Sequence, residues 1–256
     1  MLNPQSKYKH LFFDLDHTLW DFKTNSACAM QQSLEELRLL EQLPSFDVFF
    51  DFYEQVNDRL WEEYRQGTTS RAELSERRFS EPFEQFHLHG VSAQQANDVY
   101  LEFMAQQKIL VSGTTELLHE LQAQKYQLHI ISNGFVEVQE RKLQSAGIAS
   151  FFQSITLSEH VGAPKPKSAI FEYALKNVNA RKSESLMIGD DWRNDVLGAI
   201  NFGIDAVLFQ ESKPTYLEIK EQVSMSTFSC LNLKQAQKRK CYAVSQLLDI
   251  RDILKQ

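Results

Sequence analysis

The sequence predicts an α/β protein with a doubly wound parallel sheet and an inserted α-helical domain. Short apolar segments of strand length recur along the 256-residue chain, and amphipathic segments of helix length lie between most of them. More than a hundred residues separate the first two strand segments, and this interval is helical in pattern throughout. A single crossover helix does not need so many residues, so the interval predicts a separate domain.

Five segments are predicted to be strands because each is short and almost continuously apolar. Strands of this kind are buried on both faces, as in a parallel sheet covered by helices. Their alternation with helices favours right-handed crossovers. The predicted strands are His10–Asp14, Gln127–Ser132, Ser154–Leu157, Ser185–Gly189 and Asp205–Phe209.

The amphipathic segments between these strands predict the covering helices. Gly147 and Gly203 follow two of them, at the position where glycine commonly ends a helix. The predicted helices are Glu116–Gln124, Val136–Ala146, Ala169–Val178 and Arg193–Phe202.

Residues 21–107 are predicted to form the inserted four-helix domain, and residues 1–20 and 108–256 the α/β core. The first two inserted helices are expected at Ser26–Leu40 and Asp47–Arg65. The other two are expected to begin at capping boxes, Ser70 with Glu73 and Ser92 with Gln95. Four aromatic residues are expected to form the core of this domain rather than a ligand site: Phe79, Phe83, Phe86 and Phe103.

The pattern weakens after Phe209, and the role of residues 211–256 stays open. Tyr242–Ser245 and Gln246–Leu254 indicate one more strand and helix. The basic cluster Lys234–Lys240 favours a solvated surface segment over a nucleic-acid contact.

Composition and charge favour a globular protein of the cytoplasm. Hydrophobic residues make up 43% of the chain and charged residues 24%, no apolar run approaches membrane-spanning length, and we see no signal peptide. The net charge of -7 disfavours a nucleic-acid binder, because such proteins neutralise phosphates with Lys and Arg. The three cysteines lack CxxC spacing, which argues against a disulfide framework and a thiolate metal site.

Polar residues follow the predicted strands, at the edge where open α/β sheets bind ligands. Asp14, Asp16 and Thr18 come at the end of the first strand. Two carboxylates this close need a cation or a proton to offset their charges. On its own, however, this segment is equally compatible with an acidic turn that caps the next helix.

Two further segments supply groups that bind anions. Ser132, Asn133 and Gly134 offer a hydroxyl, an amide and a backbone N–H, although this tripeptide is also common in ordinary turns. Lys165 lies between two prolines, which restrict the backbone and therefore the direction of its ammonium group. Lys167 is a competing candidate with less restraint around it.

Asp190, Asp191 and Asp195 follow the fourth strand. One acidic residue at a helix N-terminus is ordinary because it complements the helix dipole, but three exceed that need. With Asp14 and Asp16 they place five carboxylates at one edge of the sheet. This concentration of charge predicts a hard, oxygen-preferring cation, and Mg²⁺ fits.

The order Asp-x-Asp-x-Thr, Ser-Asn-Gly, Lys-Pro and Gly-Asp-Asp closely resembles the haloacid dehalogenase superfamily of hydrolases. The resemblance covers about residues 8–210, including a helical insertion where that superfamily carries its type 1 cap. The segments WEEYRQGTTSRAELSERRF, ISNGF and MIGDDW also resemble the bacterial pyrimidine 5'-nucleotidases. His17 stands where that subgroup often has another aspartate, at a position with no catalytic role in the family.

The resemblance implies a phosphate monoester hydrolase with an aspartyl-phosphate intermediate. Asp14 would be the nucleophile, and Asp16 the general acid and then the general base. Mg²⁺ would be held by the carboxylates of Asp14 and Asp190 and the backbone carbonyl of Asp16, supported by Asp191 and Asp195. The transferring phosphoryl group would be bound by Thr18, Ser132, Asn133 and Lys165.

Asp16 favours phosphoryl transfer over dehalogenation, because a departing halide needs no proton, although mutases share this residue. A sugar-phosphate or phosphoglycolate phosphatase is the alternative enzyme, and a non-catalytic phospho-ligand-binding or regulatory protein is the alternative class. We expect a monomer or homodimer with a small phosphate monoester as substrate and no nucleic-acid or membrane partner. Four aromatic residues near the motifs would either stack on a base or pack internally: Trp20, Phe22, Phe135 and Trp192.

Overall fold

The computed structural model describes residues 6–210 and 239–255. It divides into two compact units: Phe22–Ile109 forms one, and the chain up to Asp21 and from Leu110 onward forms the other. Across the described ranges, no helix is both long enough and apolar enough to traverse a bilayer. Most of the basic cluster Lys234–Lys240 lies outside the described residues.

The larger unit is built on a six-stranded sheet. All neighbouring strands are parallel, in the order β3-β2-β1-β4-β5-β6. The inner strands are almost entirely buried, which explains their continuously apolar sequences. The predicted doubly wound α/β fold is therefore confirmed. The strands are β1 (His10–Phe13), β2 (Gln127–Ser132), β3 (Phe152–Leu157), β4 (Ser185–Gly189), β5 (Asp205–Phe209) and β6 (Cys241–Val244).

The strand order places a topological switch point between β1 and β4. Successive strands run outward from β1 on one side and from β4 on the other. Phe13 pairs with Ile130 of β2 and Ile188 of β4, so the residues that follow these three strands emerge at one level. Ligands of open α/β folds bind at such a point.

Ten α-helices lie in the described residues. They are α1 (Phe22–Glu36), α2 (Phe46–Gln66), α3 (Arg71–Gln85), α4 (Ala93–Gln106), α5 (Thr114–Ala123), α6 (Val136–Ser145), α7 (Ser158–Val161), α8 (Ser168–Asn177), α9 (Gly198–Phe202) and α10 (Ile250–Leu254). Side chains from β1, β2, β4 and β5 pack against α8 and α9 in one buried cluster. Gly147 and Gly203, which follow α6 and α9, have φ angles of 71° and 102°, so both end their helices in the left-handed region as predicted.

The segment predicted as one helix at Arg193–Phe202 differs from the prediction. It begins as a π-helical turn, Trp192–Leu197, and continues as α9. The N–H of Val196 donates to the carbonyl of Asp191 five residues earlier, at 3.3 Å. The sequence pattern does not distinguish this wider turn from an ordinary helix, because the apolar residues fall on the same side in both.

The smaller unit consists of α1 to α4. Both predicted capping boxes are present, at Ser70 with Glu73 and at Ser92 with Gln95. The predicted limits of the first helix, Ser26–Leu40, were wrong at both ends. The helix stops at Glu36 because the chain turns at Arg38, whose φ of 54° is incompatible with a right-handed helix.

Aromatic residues form much of the interior of this unit, as predicted. The rings of Tyr53, Phe79 and Tyr100 contact one another, with centroids 5.6 to 5.7 Å apart. Phe79 and Phe83 are buried, whereas Phe86 and Phe103 are partly exposed. In the larger unit, the strand and helix predicted near the C-terminus are present as β6 and α10.

Candidate active site

Polar segments from three strands meet at the carboxyl edge of the sheet. Asp14 follows β1, Ser132 ends β2, and Asp190 follows β4. The N–H of Asp14 donates to the carbonyl of Ile188 at 2.8 Å, so the pairing of β1 with β4 continues up to this residue. The predicted site residues of these segments therefore lie at the switch point.

Lys165 is a buried cation at this edge. Its side chain is 3% exposed, and Nζ contacts the carboxylates of Asp14 and Asp195, the latter at 2.6 Å. Nζ also donates to the carbonyl of Ile131 at 2.9 Å. Burial alone would lower the pKa of Lys165, but the two carboxylates raise it above its ordinary value. Lys165 therefore supplies a fixed positive charge.

Asn133 fixes the loop that carries Lys165. Its Oδ1 accepts the N–H of Lys165 at 2.8 Å, and its Nδ2 donates to the carbonyl of the same residue at 3.1 Å. Lys167, the competing candidate, is exposed. The structure thus brings Lys165 to the aspartates, and the side chain of Asn133 holds the backbone that positions it.

Asp14, Asp190 and Asp195 form an acidic triad. Each offers a carboxylate oxygen, and these oxygens lie within 4.8 Å of one another. Burial raises the pKa of all three groups, and Lys165 opposes this rise. Repulsion from Asp195 also raises the pKa of Asp190, which reaches about 7. Buried carboxylates that repel one another in this way fit a hard divalent cation.

Neighbouring groups hold the triad in place. The hydroxyl of Thr18 donates to Asp190 at 3.1 Å, and the N–H of Asp191 donates to Asp195 at 3.1 Å. The side chain of Asp191 accepts two backbone N–H groups of the following turn. A Cβ atom on Gly189 would lie 2.2 Å from Oδ2 of Asp195, so only glycine leaves room for that carboxylate.

The carboxylate of Asp16 contacts α6. Its carboxylate accepts hydrogen bonds from Nζ of Lys142 and Nε2 of Gln139, each at 2.8 Å. Burial would raise the pKa of Asp16, but Lys142 and these hydrogen bonds lower it below its ordinary value. Gln139 Nε2 also donates to the hydroxyl of Ser132 at 2.6 Å, which links Asp16 to the end of β2.

Gln139 and Lys142 were not among the residues predicted for the site. Both lie on the buried face of α6, beside Val138 and Leu143. The sequence did carry a signal, because polar residues occupy two positions of a helix face that is otherwise apolar. The contacts with Asp16 in the folded protein explain why polar residues occupy these positions.

Two of the aromatic residues near the motifs pack internally. Trp20 is fully buried, and Nζ of Lys142 lies 4.1 Å from the centre of its ring. Phe135 is also buried. Trp192 is partly buried against the core of the larger unit, and Phe22 is partly exposed in the smaller unit. Packing therefore explains Trp20 and Phe135 without a bound base.

Several known proteins are similar to this chain along most of its length. A pyrimidine 5'-nucleotidase of Streptococcus pneumoniae, PynA, is 31% identical over 82% of this chain and 90% of its own. A ribulose-1,5-bisphosphate 5-phosphatase of Halopiger xanaduensis is 30% identical over 79% of this chain and 85% of its own. Among solved structures, the Bacillus subtilis HAD-hydrolase YfnB, bound to magnesium, has a TM-score of 0.80 at 24% identity. The match covers 98% of this chain and all of that one.

The family model for haloacid dehalogenase-like hydrolases matches residues 8–203. The matched range includes β1 to β4 and all the site residues described above. The sequence resemblance is thereby confirmed, and the chain belongs to the haloacid dehalogenase-like hydrolases.

Proposed function

We propose that this protein is a Mg²⁺-dependent phosphatase of small phosphate monoesters. The observation that carries the proposal is the contact of the buried Lys165 with Asp14 and Asp195, within an acidic triad at the switch point. This arrangement combines a carboxylate nucleophile, a fixed cation and a set of oxygen ligands. Such a site neutralises the negative charge of a phosphoryl group, which is the main requirement of phosphoryl transfer.

The triad supports Mg²⁺ as the cofactor. Asp14 and Asp190 would hold the ion together with the backbone carbonyl of Asp16, and Asp191 and Asp195 would support it. Burial and mutual repulsion raise the pKa of Asp190 to about 7, as expected of a carboxylate that needs a cation partner. Once bound, Mg²⁺ would offset the repulsion between the carboxylates and the phosphate.

The reaction would take place in two steps. A carboxylate oxygen of Asp14 attacks phosphorus, and the bond from phosphorus to the ester oxygen breaks. Asp16 gives a proton to the departing oxygen, and it has to take up this proton before the step because Lys142 and Gln139 lower its pKa. Asp16 then takes a proton from water, which attacks the aspartyl-phosphate and releases inorganic phosphate. Thr18, Ser132, Asn133 and Lys165 are the proposed phosphate-binding residues, and Asn133, whose side-chain amide is bonded to the backbone of Lys165, would act through its main chain.

Pyrimidine nucleoside monophosphates are the proposed substrates, because PynA is a relative along most of both chains. The Halopiger relative supports a sugar phosphatase as the second candidate. Phosphate release from UMP, dUMP, CMP, purine nucleotides, ribulose bisphosphate, phosphoglycolate and hexose phosphates, measured with Mg²⁺, separates the two. Higher kcat/KM for the pyrimidine nucleotides supports the nucleotidase, and higher kcat/KM for a sugar phosphate overturns that part of the proposal.

The Asp14→Asn variant tests the chemistry independently of the substrate. We expect it to lose turnover by at least about 1,000-fold, because the amide cannot act as the nucleophile. Unchanged turnover would overturn Asp14 as the nucleophile, and a wild type with no turnover on any ester would favour a non-catalytic protein on this fold. The proposed compartment is the cytoplasm, and the proposed state is a monomer or homodimer.

A further inference from the structure

We propose that Gln139 and Lys142 of α6 are positioning residues that hold Asp16 for the second step of the reaction, the hydrolysis of the aspartyl-phosphate. This inference rests on the proposed function. Neither residue belongs to the motifs that identified the site.

The two side chains hold both oxygens of the Asp16 carboxylate. Lys142 Nζ donates to Oδ1 and Gln139 Nε2 donates to Oδ2, each at 2.8 Å. A carboxylate that accepts a donor at each oxygen has its plane fixed in space. The hydrolysis step requires a base whose position is defined relative to the attacking water.

The surroundings of Lys142 and Gln139 restrict their movement. The side chain of Lys142 is 4% exposed, and its ammonium group lies 4.1 Å from the centre of the buried Trp20 ring. A lysine held between an aromatic face and a carboxylate has few other positions available. Gln139 is 1% exposed and also donates to Ser132 Oγ at 2.6 Å.

Gly134 packs closely against the side chain of Gln139. A Cβ atom at this position would lie 2.3 Å from Nε2 of Gln139, although the backbone of Gly134 is not in the left-handed region. A side chain at this position would therefore displace the amide of Gln139, whereas the φ angle of the turn does not itself require glycine. The Ser-Asn-Gly segment thus leaves room for the amide that holds Asp16.

The experiment uses p-nitrophenyl phosphate with Mg²⁺ and the full-length protein. The nitrophenolate leaving group of this ester departs without a proton. The value of kcat/KM therefore reports the first step without the acid role of Asp16, whereas kcat reports hydrolysis of the intermediate. The variants are Gln139→Leu and Lys142→Met. Their controls are Gln144→Leu and Arg141→Met, which replace an exposed glutamine and an exposed basic residue of the same helix.

We expect kcat of both variants to fall about 10- to 100-fold, because a misplaced base loses most of its effect. We expect kcat/KM of Lys142→Met to change by less than about 3-fold, since the first step is intact. Gln139→Leu also removes the hydrogen bond to Ser132, so its kcat should fall by more than its kcat/KM. A burst of one nitrophenol per enzyme should appear in rapid mixing, and mass spectrometry of quenched enzyme should detect one added phosphoryl group. Gly134→Ala should behave like Gln139→Leu, and Lys142→Arg should restore part of kcat.

Two other outcomes would overturn the inference. A parallel loss of kcat and kcat/KM without a burst would indicate a merely structural role, and wild-type kinetics in both variants would exclude positioning. If Lys142→Met does not fold, as shown by its thermal unfolding, Gln139→Leu and Gly134→Ala decide the question alone. A wild-type protein inactive on every phosphate ester would instead refute the proposed function, which separates the two failures.

Discussion

At the scale of single residues, Lys165 is a buried cation with a proposed role in phosphate binding. Its ammonium group contacts two carboxylates in the interior, whereas Lys167, on the other side of Pro166, is exposed. Two lysines two residues apart therefore have very different environments. This pair offers a matched test of what the buried charge contributes.

The Lys165→Met variant should lose both activity and stability. Removing the cation leaves buried carboxylates uncompensated, which costs about 3 to 5 kcal/mol in the free energy of unfolding. Turnover should be lost as well, because the phosphoryl group loses its cationic partner. Urea unfolding in EDTA measures the loss of stability, and phosphate release in Mg²⁺ measures the loss of activity.

Lys167→Met is the control for this variant. Its free energy of unfolding should stay within about 0.5 kcal/mol of the wild type, as for most exposed positions. Equal effects of the two substitutions would contradict the assignment of Lys165 as the buried cation.

At the scale of elements, a chain of polar contacts joins three neighbouring strands. The ring nitrogens His10 Nδ1 of β1 and His129 Nε2 of β2 lie 3.2 Å apart, and His129 Nδ1 lies 2.9 Å from the hydroxyl of Ser154 in β3. Burial lowers the pKa of His10, and burial together with His10 lowers the pKa of His129 to about 4. Both imidazoles are therefore neutral at pH 7.

These histidines predict a loss of stability in mild acid. An unfolded histidine has a pKa of about 6.5, so between pH 6.5 and 4 the unfolded chain binds more protons than the folded one. The contribution of the neutral histidines to the free energy of unfolding should therefore be complete above pH 6.5 and should decrease as the pH is lowered. For His129 the loss should reach about 2 to 3 kcal/mol at pH 4.

Urea unfolding of the wild type and of His129→Phe between pH 8 and pH 4.5 checks this prediction. The variant should show a flatter dependence on pH below 6.5, because phenylalanine binds no proton. His160→Gln replaces an exposed histidine and should keep the slope of the wild type. Identical slopes in all three proteins would show that His129 does not control the acid response.

At the scale of the whole molecule, the acidic triad depends on the pairing of two strands that are distant in sequence. Asp14 follows the first strand, while Asp190 and Asp195 follow the fourth, more than 170 residues later in the sequence. Their carboxylates come within 4.8 Å of one another only when β1 and β4 pair. Binding of a cation by the triad should therefore stabilise the folded state as a whole.

We accordingly predict that Mg²⁺ raises the thermal stability of the wild type. Above the Kd, each tenfold rise in free Mg²⁺ should add about 1.4 kcal/mol to the free energy of unfolding, and EDTA should remove this gain along with the activity. Calorimetry over a series of Mg²⁺ concentrations provides the measurement.

Asp190→Asn should lose most of the Mg²⁺ effect. Without metal it should be at least as stable as the wild type, because one of the mutually repelling carboxylates is gone. Asp252→Asn, which alters an exposed carboxylate of the same unit, should respond to Mg²⁺ like the wild type. A Mg²⁺ response that survives in Asp190→Asn would argue against the triad as the metal site.

Much of this protein could be predicted from its sequence, because local physical rules govern those features. Continuous apolar segments gave the strands, and the capping boxes at Ser70 and Ser92 gave two helix starts. The polar residues at the strand ends predicted where the site would lie, because parallel strands bring these ends to one edge. From the sequence alone, the two prolines that flank Lys165 favoured it over Lys167.

Other features were decided only by the tertiary structure, because they depend on contacts between residues distant in sequence. Asp16 is held by Gln139 and Lys142, more than 120 residues away, and no local pattern relates them. The side chain of Asn133 holds the backbone of Lys165 through two hydrogen bonds. The carboxylate of Asp195 reaches the triad because Gly189 has no side chain in its way. Sequence periodicity reports which face of an element is buried, whereas the partner on that face is fixed by how the elements pack.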